Sequence, residues 1–141
     1  MTAATDRDAK QDIAEVLVRY TAAIDRRDWD LLRTCFTEDC RADYGGIGSW
    51  RGVDGITDYM VTAHAGMGHT LHRLSNIVVS LDGDAADARS YVDAVVMAAD
   101  GRSGINAMGF YDDRLERTGA GWRIAERRFT RVHVGALAAG T

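Results

Sequence analysis

Four histidines, His64, His69, His72 and His133, carry the side chains in this sequence that exchange protons most readily near neutral pH. Two uses compete for them, holding a metal ion or acting as a general acid and base. His69 and His72 are three positions apart, so on one regular strand they point to opposite faces, and only a bulge or a helix would bring them together. We therefore expect no metal site and no cofactor, and we interpret the histidines as candidates for proton transfer.

A glycine-rich stretch and two cysteines also invite a chemical interpretation. Gly45, Gly46 and Gly48 lack the Lys-Ser/Thr pair of a P-loop, and they do not stand between a parallel strand and its helix. Cys35 and Cys40 form a lone C-x4-C pair, which is a weak zinc signal. We interpret the glycines as a turn that closes a pocket, and the cysteines as reduced structural residues. The sequence offers no nucleophile elbow.

Composition narrows the class of protein. The chain has 141 residues, of which 46% are apolar and 27% charged, as expected for one globular domain. A net charge of -4 disfavours a nucleic-acid partner, because affinity for phosphates comes mainly from clustered Lys and Arg. No apolar run approaches the roughly 20 residues needed to span a bilayer, and the opening residues lack a signal-peptide pattern. We expect a cytoplasmic protein with no membrane partner.

The first third of the chain shows helical periodicity. Residues 1–11 are polar, and we expect them to form a frayed end. A first amphipathic helix is predicted to run to about Asp25. Asp28 is placed to cap a short second helix, and Asp54 to cap a third over residues 55–63. The inward face of the first helix is predicted to carry Ile13, Val16, Leu17, Tyr20 and Ile24.

The remainder of the chain changes from a period of 3.6 to a period of 2. Asp82-Gly83-Asp84, Asp100-Gly101 and residues 118–121 are turn signals that divide it into consecutive strands. A short additional strand is predicted over residues 41–44. The predicted fold is α+β, with a curved antiparallel sheet closed by N-terminal helices into a cone-shaped barrel with an internal pocket. The four long strands are predicted over residues 69–81, 86–98, 103–116 and 122–134.

This order of elements resembles the nuclear transport factor 2-like superfamily, and within it the SnoaL-like branch. Four segments carry the resemblance, at residues 20–25, 44–52, 72–76 and 104–111. They are similar to stretches of hexachlorocyclohexane dehydrochlorinase, bile-acid 7α-dehydratase and, more distantly, scytalone dehydratase. The resemblance extends over nearly the whole chain and implies a single domain, although fold alone does not establish function.

The resemblance implies a catalytic dyad. In those enzymes an Asp at the end of the first helix and a His early in the sheet act together, and the matching residues here are Asp25 and His72. The histidine would take a proton from carbon, and the aspartate would orient the ring and stabilise the imidazolium. Judged without the resemblance, Asp25 is better interpreted as a solvated helix end beside Arg26 and Arg27, and His72 could equally be an ordinary strand residue.

The resemblance also implies residues of the substrate cavity. Tyr20 and Tyr44 are expected to look into it and donate hydrogen bonds to a substrate carbonyl. Asn106 and Arg131 match polar cavity residues of the bile-acid enzyme. Alternation along the predicted strand places Asn106 on one face with two apolar candidates, Met108 and Phe110. Asp93 is also expected to face inward, although a one-residue change of strand register would reverse that orientation.

These expectations leave three functions open. The first is a cofactor-independent, dehydratase-like lyase acting on a small cyclic apolar substrate. The second is an isomerase or polyketide-type cyclase using the same dyad, and the third is a non-catalytic protein that binds a small molecule. Because the predicted strands carry apolar residues on both faces, we also expect a homodimer or homotrimer.

Overall fold

The computed structural model describes residues 5–138 as three helices and six strands. The helices lie in the first half of the chain, and a 3₁₀ turn over Gly45–Ile47 joins the first two strands. The helices are α1 (Asp6–Arg26), α2 (Trp29–Arg33) and α3 (Gly52–His64). The strands are β1 (Phe36–Asp43), β2 (Ser49–Arg51), β3 (Met67–Asp82), β4 (Ala85–Ala98), β5 (Gly104–Thr118) and β6 (Gly121–Leu137).

Helix α1 begins earlier than the apolar pattern indicates. Asp6 already lies in the helix, inside the segment 1–11 for which we expected a frayed end; residues 1–4 lie outside the described part. A capping box explains the early start, because the Thr5 hydroxyl accepts the Asp8 backbone N–H and the Asp8 carboxylate accepts the Thr5 N–H. Ala9 then packs into the core at 4% exposure. The helix is therefore anchored at its N-terminus.

The two shorter helices differ in how they begin. Asp28 caps α2 as predicted, and its side chain accepts the backbone N–H of Leu31 at 3.1 Å. The predicted cap of α3 is wrong, since α3 starts at Gly52 directly after β2 and its N-cap residue makes no side-chain capping bond. Asp54 lies instead within the first turn of α3, where its carboxylate pairs with Arg33 of α2.

The sheet has the strand order β2-β1-β6-β5-β4-β3. The four long strands form the predicted antiparallel meander, with registers that run almost their whole length. The pairing of β1 with β6 is parallel, so the sheet is mixed and not purely antiparallel as predicted. Hydrogen bonding does not close it into a barrel, and β2 and β3 remain its two edges. The α+β class and the cone-like arrangement of helices against a curved sheet are confirmed.

The helices cover one face of this sheet, which we call the inner face. Helix α1 packs mainly against β3, and α3 against β1. The inner face of β4 carries small residues in strict alternation, all nearly or fully buried. They are Ala86, Ala88, Ser90, Val92 and Ala94.

An ion pair is buried in the centre of this core. Arg127 of β6 donates two hydrogen bonds to Asp113 of β5, at 2.7 and 2.9 Å, and both side chains are 0% exposed. The guanidinium carbon lies 3.9 Å from the centroid of the Tyr111 ring and 4.3 Å from that of Tyr20. On the opposite, outer face the pair Arg89–Asp112 has the same two distances but is exposed.

Candidate active site

Asp25 and His72 are in direct contact. Asp25 lies in the last turn of α1, and the packing of that helix on β3 brings its carboxylate to the strand. Its Oδ1 lies 2.7 Å from Nδ1 of His72, and its Oδ2 accepts the backbone N–H of His72 at 2.9 Å. The side chains are 21% and 13% exposed, so the pair is largely shielded but reachable. The contact that we expected is therefore present, whereas its catalytic role stays a prediction.

The carboxylate of Asp25 is held in its ionised form. Burial raises its pKa, but hydrogen bonds from the ring and backbone of His72, the charge of His72 and the Thr70 hydroxyl outweigh burial and lower the pKa overall. An ionised carboxylate only accepts hydrogen bonds, so in the neutral imidazole it is Nδ1 that carries the proton. The lone pair of Nε2 is left free, and no residue within 5–138 hydrogen-bonds to this nitrogen.

The sheet beside His72 carries small side chains. His72 pairs with Ala94 on β4, Ala94 with Ala107 on β5, and Ala107 with Val134 on β6. Successive strands are about 4.8 Å apart, so this row extends roughly 14 Å across the inner face from the imidazole. The two residues at the centre of the row, Ala94 and Ala107, carry only methyl side chains. The helical and alternating patterns in the sequence did not single out these alanines.

A second group of residues missed at the sequence level surrounds Asp25. The Thr70 hydroxyl donates to Asp25 Oδ1 at 2.9 Å and accepts a hydrogen bond from Arg27 Nη1 at 2.8 Å. Arg27 also donates to the backbone carbonyls of Ile24 and Gly68, both at 2.7 Å. In the sequence, Arg27 looks like an exposed helix end, and only its left-handed backbone, with φ 57°, turns the side chain towards β3.

His64, at the end of α3, lies near the same group. Its Nδ1 is 2.7 Å from the backbone carbonyl of Met60, and its ring centroid is 5.9 Å from that of Trp29. Burial lowers the pKa of His64, and the positive charge of Arg27 lowers it further. A neutral imidazole therefore accompanies the dyad at physiological pH.

Tyr20 and Tyr44 form a separate pair in the core. Their hydroxyl oxygens are 2.8 Å apart, and the residues are 2% and 7% exposed. Burial raises the pKa of both phenols, so they are hydrogen-bond donors and not anions. Asp25 lies five positions after Tyr20 on the helix, about 7.5 Å along the axis and roughly 140° around it. Their expected role as donors to a substrate stays a prediction, and in this structure each hydroxyl is engaged by the other.

Asn106, Met108 and Phe110 do not have the inward orientation that we expected. On β5 the inward residues are the odd-numbered ones, Gly109, Tyr111 and Asp113, which are buried. The three even-numbered side chains lie on the outer face, where Asn106 donates to Asp93, Arg89 stacks on Phe110 and Met108 is 41% exposed. The strand register differs by one residue from the assumed one, and a single-residue change exchanges the two faces of a strand.

Arg131 lies on β6, in register with Gly109, which continues through Val92 to Leu74 on β3. This row is adjacent to the row of His72, and Arg131 is exposed at its far end. Arg131 lines a cavity of about 600 Å³ together with Tyr44, Phe129 and the glycine turn. Neither Asp25 nor His72 lines this cavity, a second one of about 1000 Å³, mainly on the outer face, or a third of about 460 Å³ beside α3.

Residues 5–138 contain no cluster of three or more His, Cys, Asp or Glu side chains that could hold a metal ion. Over the same residues, none of the three helices is both long and apolar enough to cross a membrane.

Comparison with known proteins gives relatives along nearly the whole chain. Rv2910c, an uncharacterised protein of Mycobacterium tuberculosis, is 35% identical over 121 residues, covering 82% of this chain and 80% of its own. A provisionally named aromatic ring hydroxylase from Novosphingobium aromaticivorans superposes with a TM-score of 0.86 at 28% identity, covering 94% of this chain and 96% of its own. A provisionally named scytalone dehydratase from the same organism gives a TM-score of 0.82 at 22% identity, covering 92% and 90%.

The names of the two structural relatives describe different reactions, and the similarity to the dehydratase, at 22% identity, is one of fold. The family assignment is more direct, because the SnoaL-like domain matches residues 5–128, which include every helix, both residues of the dyad and most of the sheet. The chain therefore belongs to the SnoaL-like domain family.

Proposed function

We propose that this protein is a cofactor-independent lyase of the dehydratase type, acting on a small cyclic apolar substrate through Asp25 and His72. One observation carries the proposal. His72 is bound through Nδ1 to an ionised carboxylate at 2.7 Å, while Nε2 is free beside a row of small side chains. This is the arrangement that a general base requires.

In the proposed reaction, Nε2 of His72 takes a proton from a carbon next to an electron-withdrawing group. The electron pair of the broken C–H bond forms a carbon–carbon double bond, and the hydroxyl on the neighbouring carbon leaves. The imidazolium, stabilised by the negative charge of Asp25, returns its proton to the departing hydroxyl, which leaves as water. Both residues end in their starting states, and no external oxidant or reductant is consumed.

The residues in register with His72 support this choice of substrate class. Ala94, Ala107 and Val134 offer apolar contacts and little steric hindrance, which suits a ring lying flat against the sheet. Arg131 lies at the far end of the adjacent row. We assign it to the end of the substrate remote from His72, where its positive charge would bind a carbonyl or phenolate oxygen. The scytalone dehydratase name of a structural relative is consistent with water elimination from such a ring.

Hydrogen–deuterium exchange at the activated carbon of a surrogate cyclic ketone tests the proposal without knowledge of the natural substrate. We expect His72→Ala and Asp25→Asn to lower the exchange rate by about 10²–10⁴-fold, the usual contribution of a general acid–base group. His133→Ala is the matched control, because His133 is an exposed histidine on β6 and its loss should leave the rate unchanged.

Equal exchange rates in the wild type and His72→Ala would refute the catalytic role and leave a small-molecule-binding protein as the better description. If exchange depends on His72 but product analysis shows rearrangement or ring closure without loss of water, the isomerase or cyclase hypothesis replaces the lyase hypothesis.

A further inference from the structure

The hydrogen bonds behind Asp25 form a chain of three side chains that ends at the imidazole of His72. We propose that Thr70 and Arg27 are positioning residues of the dyad, forming a relay that keeps the Asp25 carboxylate charged and correctly oriented while His72 gains and loses its proton. The inference rests on the proposed function for its catalytic meaning, but not for its test.

The direction of each hydrogen bond in the relay is fixed by chemistry. A guanidinium can only donate, so the Thr70 hydroxyl must accept from Arg27 Nη1 at 2.8 Å. Its single proton then points to Asp25 Oδ1, 2.9 Å away, the same oxygen that the His72 ring contacts. The two donors share one oxygen, so the hydroxyl lowers the basicity of Oδ1 and disfavours transfer of the Nδ1 proton to the carboxylate.

The backbone of Arg27 is a second, independent sign that this side chain has a specific role. Its φ of 57° and ψ of 32° place it in the left-handed region at the end of α1, where glycine or asparagine is the usual residue. An arginine pays a conformational cost there that the helix end alone does not require. In this conformation the Arg27 side chain donates to the Thr70 hydroxyl and the Gly68 carbonyl, so it joins the end of α1 to the start of β3.

The relay is testable without substrate, by following the Asp25 carboxyl through its pH titration with ¹³C NMR. The groups facing Asp25 are His72 and Thr70 on β3, Arg27 after α1 and His64 on α3. Hydrogen bonding to Thr70 lowers the pKa of Asp25 in the wild type. Thr70→Val, which has nearly the same shape without the hydroxyl, should raise the pKa of Asp25, because the carboxylate loses a hydrogen-bond donor.

Two further variants separate an electrostatic relay from simple packing. Thr70→Ser restores the hydroxyl and should bring the Asp25 titration back to that of the wild type. Arg27→Asn removes the guanidinium but suits the left-handed backbone, and it should raise the pKa of Asp25 in the same direction as Thr70→Val. In both loss variants the proton between Nδ1 and Oδ1 should move downfield in ¹H NMR, because Oδ1 has become more basic.

An unchanged Asp25 titration in folded Thr70→Val, or the same change in Thr70→Val and Thr70→Ser, would overturn the relay. If Thr70→Val does not fold, Arg27→Asn decides by the same criterion. These results are distinct from those for the proposed function. If the variants change the Asp25 titration as expected but the protein is inactive towards the surrogate ketone, the lyase proposal is refuted and the relay is supported. If the protein is active but the titration is unchanged in the variants, the relay is refuted and the lyase proposal is supported.

Discussion

Removing the carboxylate of Asp113 should destabilise the protein severely, because it leaves the charge of Arg127 buried without a counterion. Both side chains are 0% exposed, and two hydrogen bonds of 2.7 and 2.9 Å join them. Breaking such a buried pair from one side typically costs about 3–5 kcal/mol. The rings of Tyr20 and Tyr111 still contact the guanidinium after the substitution, so we expect the lower end, about 3 kcal/mol for Asp113→Ala.

That loss is a large part of the roughly 5–15 kcal/mol by which domains of this size are stable. Urea denaturation followed by circular dichroism measures it directly, and the thermal midpoint should fall by about 10 °C. Asp112→Ala is the matched control, since Asp112 and Arg89 have the same two distances on the exposed outer face. Its midpoint should change little, because exposed pairs contribute little to stability.

A double variant distinguishes the buried charge from the lost volume. Asp113→Leu combined with Arg127→Met removes both charges at similar size, and it should recover much of the stability lost in Asp113→Ala. If Asp113→Ala is no more destabilising than Asp112→Ala, then the reasoning from burial is refuted.

Three further predictions concern the dyad, the thiols and assembly. The lowered pKa of Asp25 contributes stability that is present above its ordinary value of 3.8 and is lost as pH falls through the lower folded value. Urea titrations should therefore show a larger wild-type advantage over Asp25→Asn at pH 6 than at pH 2.5, and an equal advantage at both would contradict this. Burial raises the pKa of Cys35 and Cys40 to about 11, so neither thiol should react with a disulfide reagent until the protein is unfolded. Reaction of the folded protein as fast as free cysteine would contradict this. We also propose that copies of this chain form a homodimer or homotrimer through the outer sheet face, where Leu71 is 58% and Tyr91 49% exposed. Light scattering should give a mass that is two or three times 15.4 kDa, and Tyr91→Glu should lower that mass. A monomeric wild-type protein would refute the proposal.

Much of the fold could be predicted because it rests on repeated local signals. Three of the four long strands, β3, β4 and β5, end at a glycine turn, and the observed bounds of all four lie within three residues of the predicted ones. Strand β2, with three residues, is too short to show any period. The start of α1 was missed because Thr5 and Asp8 form a capping box with Asp in place of the usual Glu or Gln. The parallel pairing of β1 with β6 has no local signal at all.

The candidate site was less predictable, and unevenly so. The Asp25–His72 contact follows from the family resemblance, which carries over two positions at once. The face of β5 could not be decided from sequence, because Phe110 and Tyr111 are adjacent and both suit a core. The roles of Thr70 and Arg27 could not be predicted for another reason. Their hydrogen bond depends on the left-handed backbone of Arg27, and a polar sequence at a helix end does not indicate that conformation.

The parallel pairing of β1 with β6 has a consequence for the order in which the chain folds. The hairpins of β3 to β6 join neighbouring segments and can close quickly as each strand is synthesised. Strand β1 must wait for the last strand, because Phe36 pairs with Ile124. Until then, the edge of β1 that will pair with β6 is open to other nascent chains. We therefore expect the pairing of β6 with β1 to be the slow folding step and the one most exposed to aggregation. The contact between α1 and β3 that forms the dyad can be made earlier.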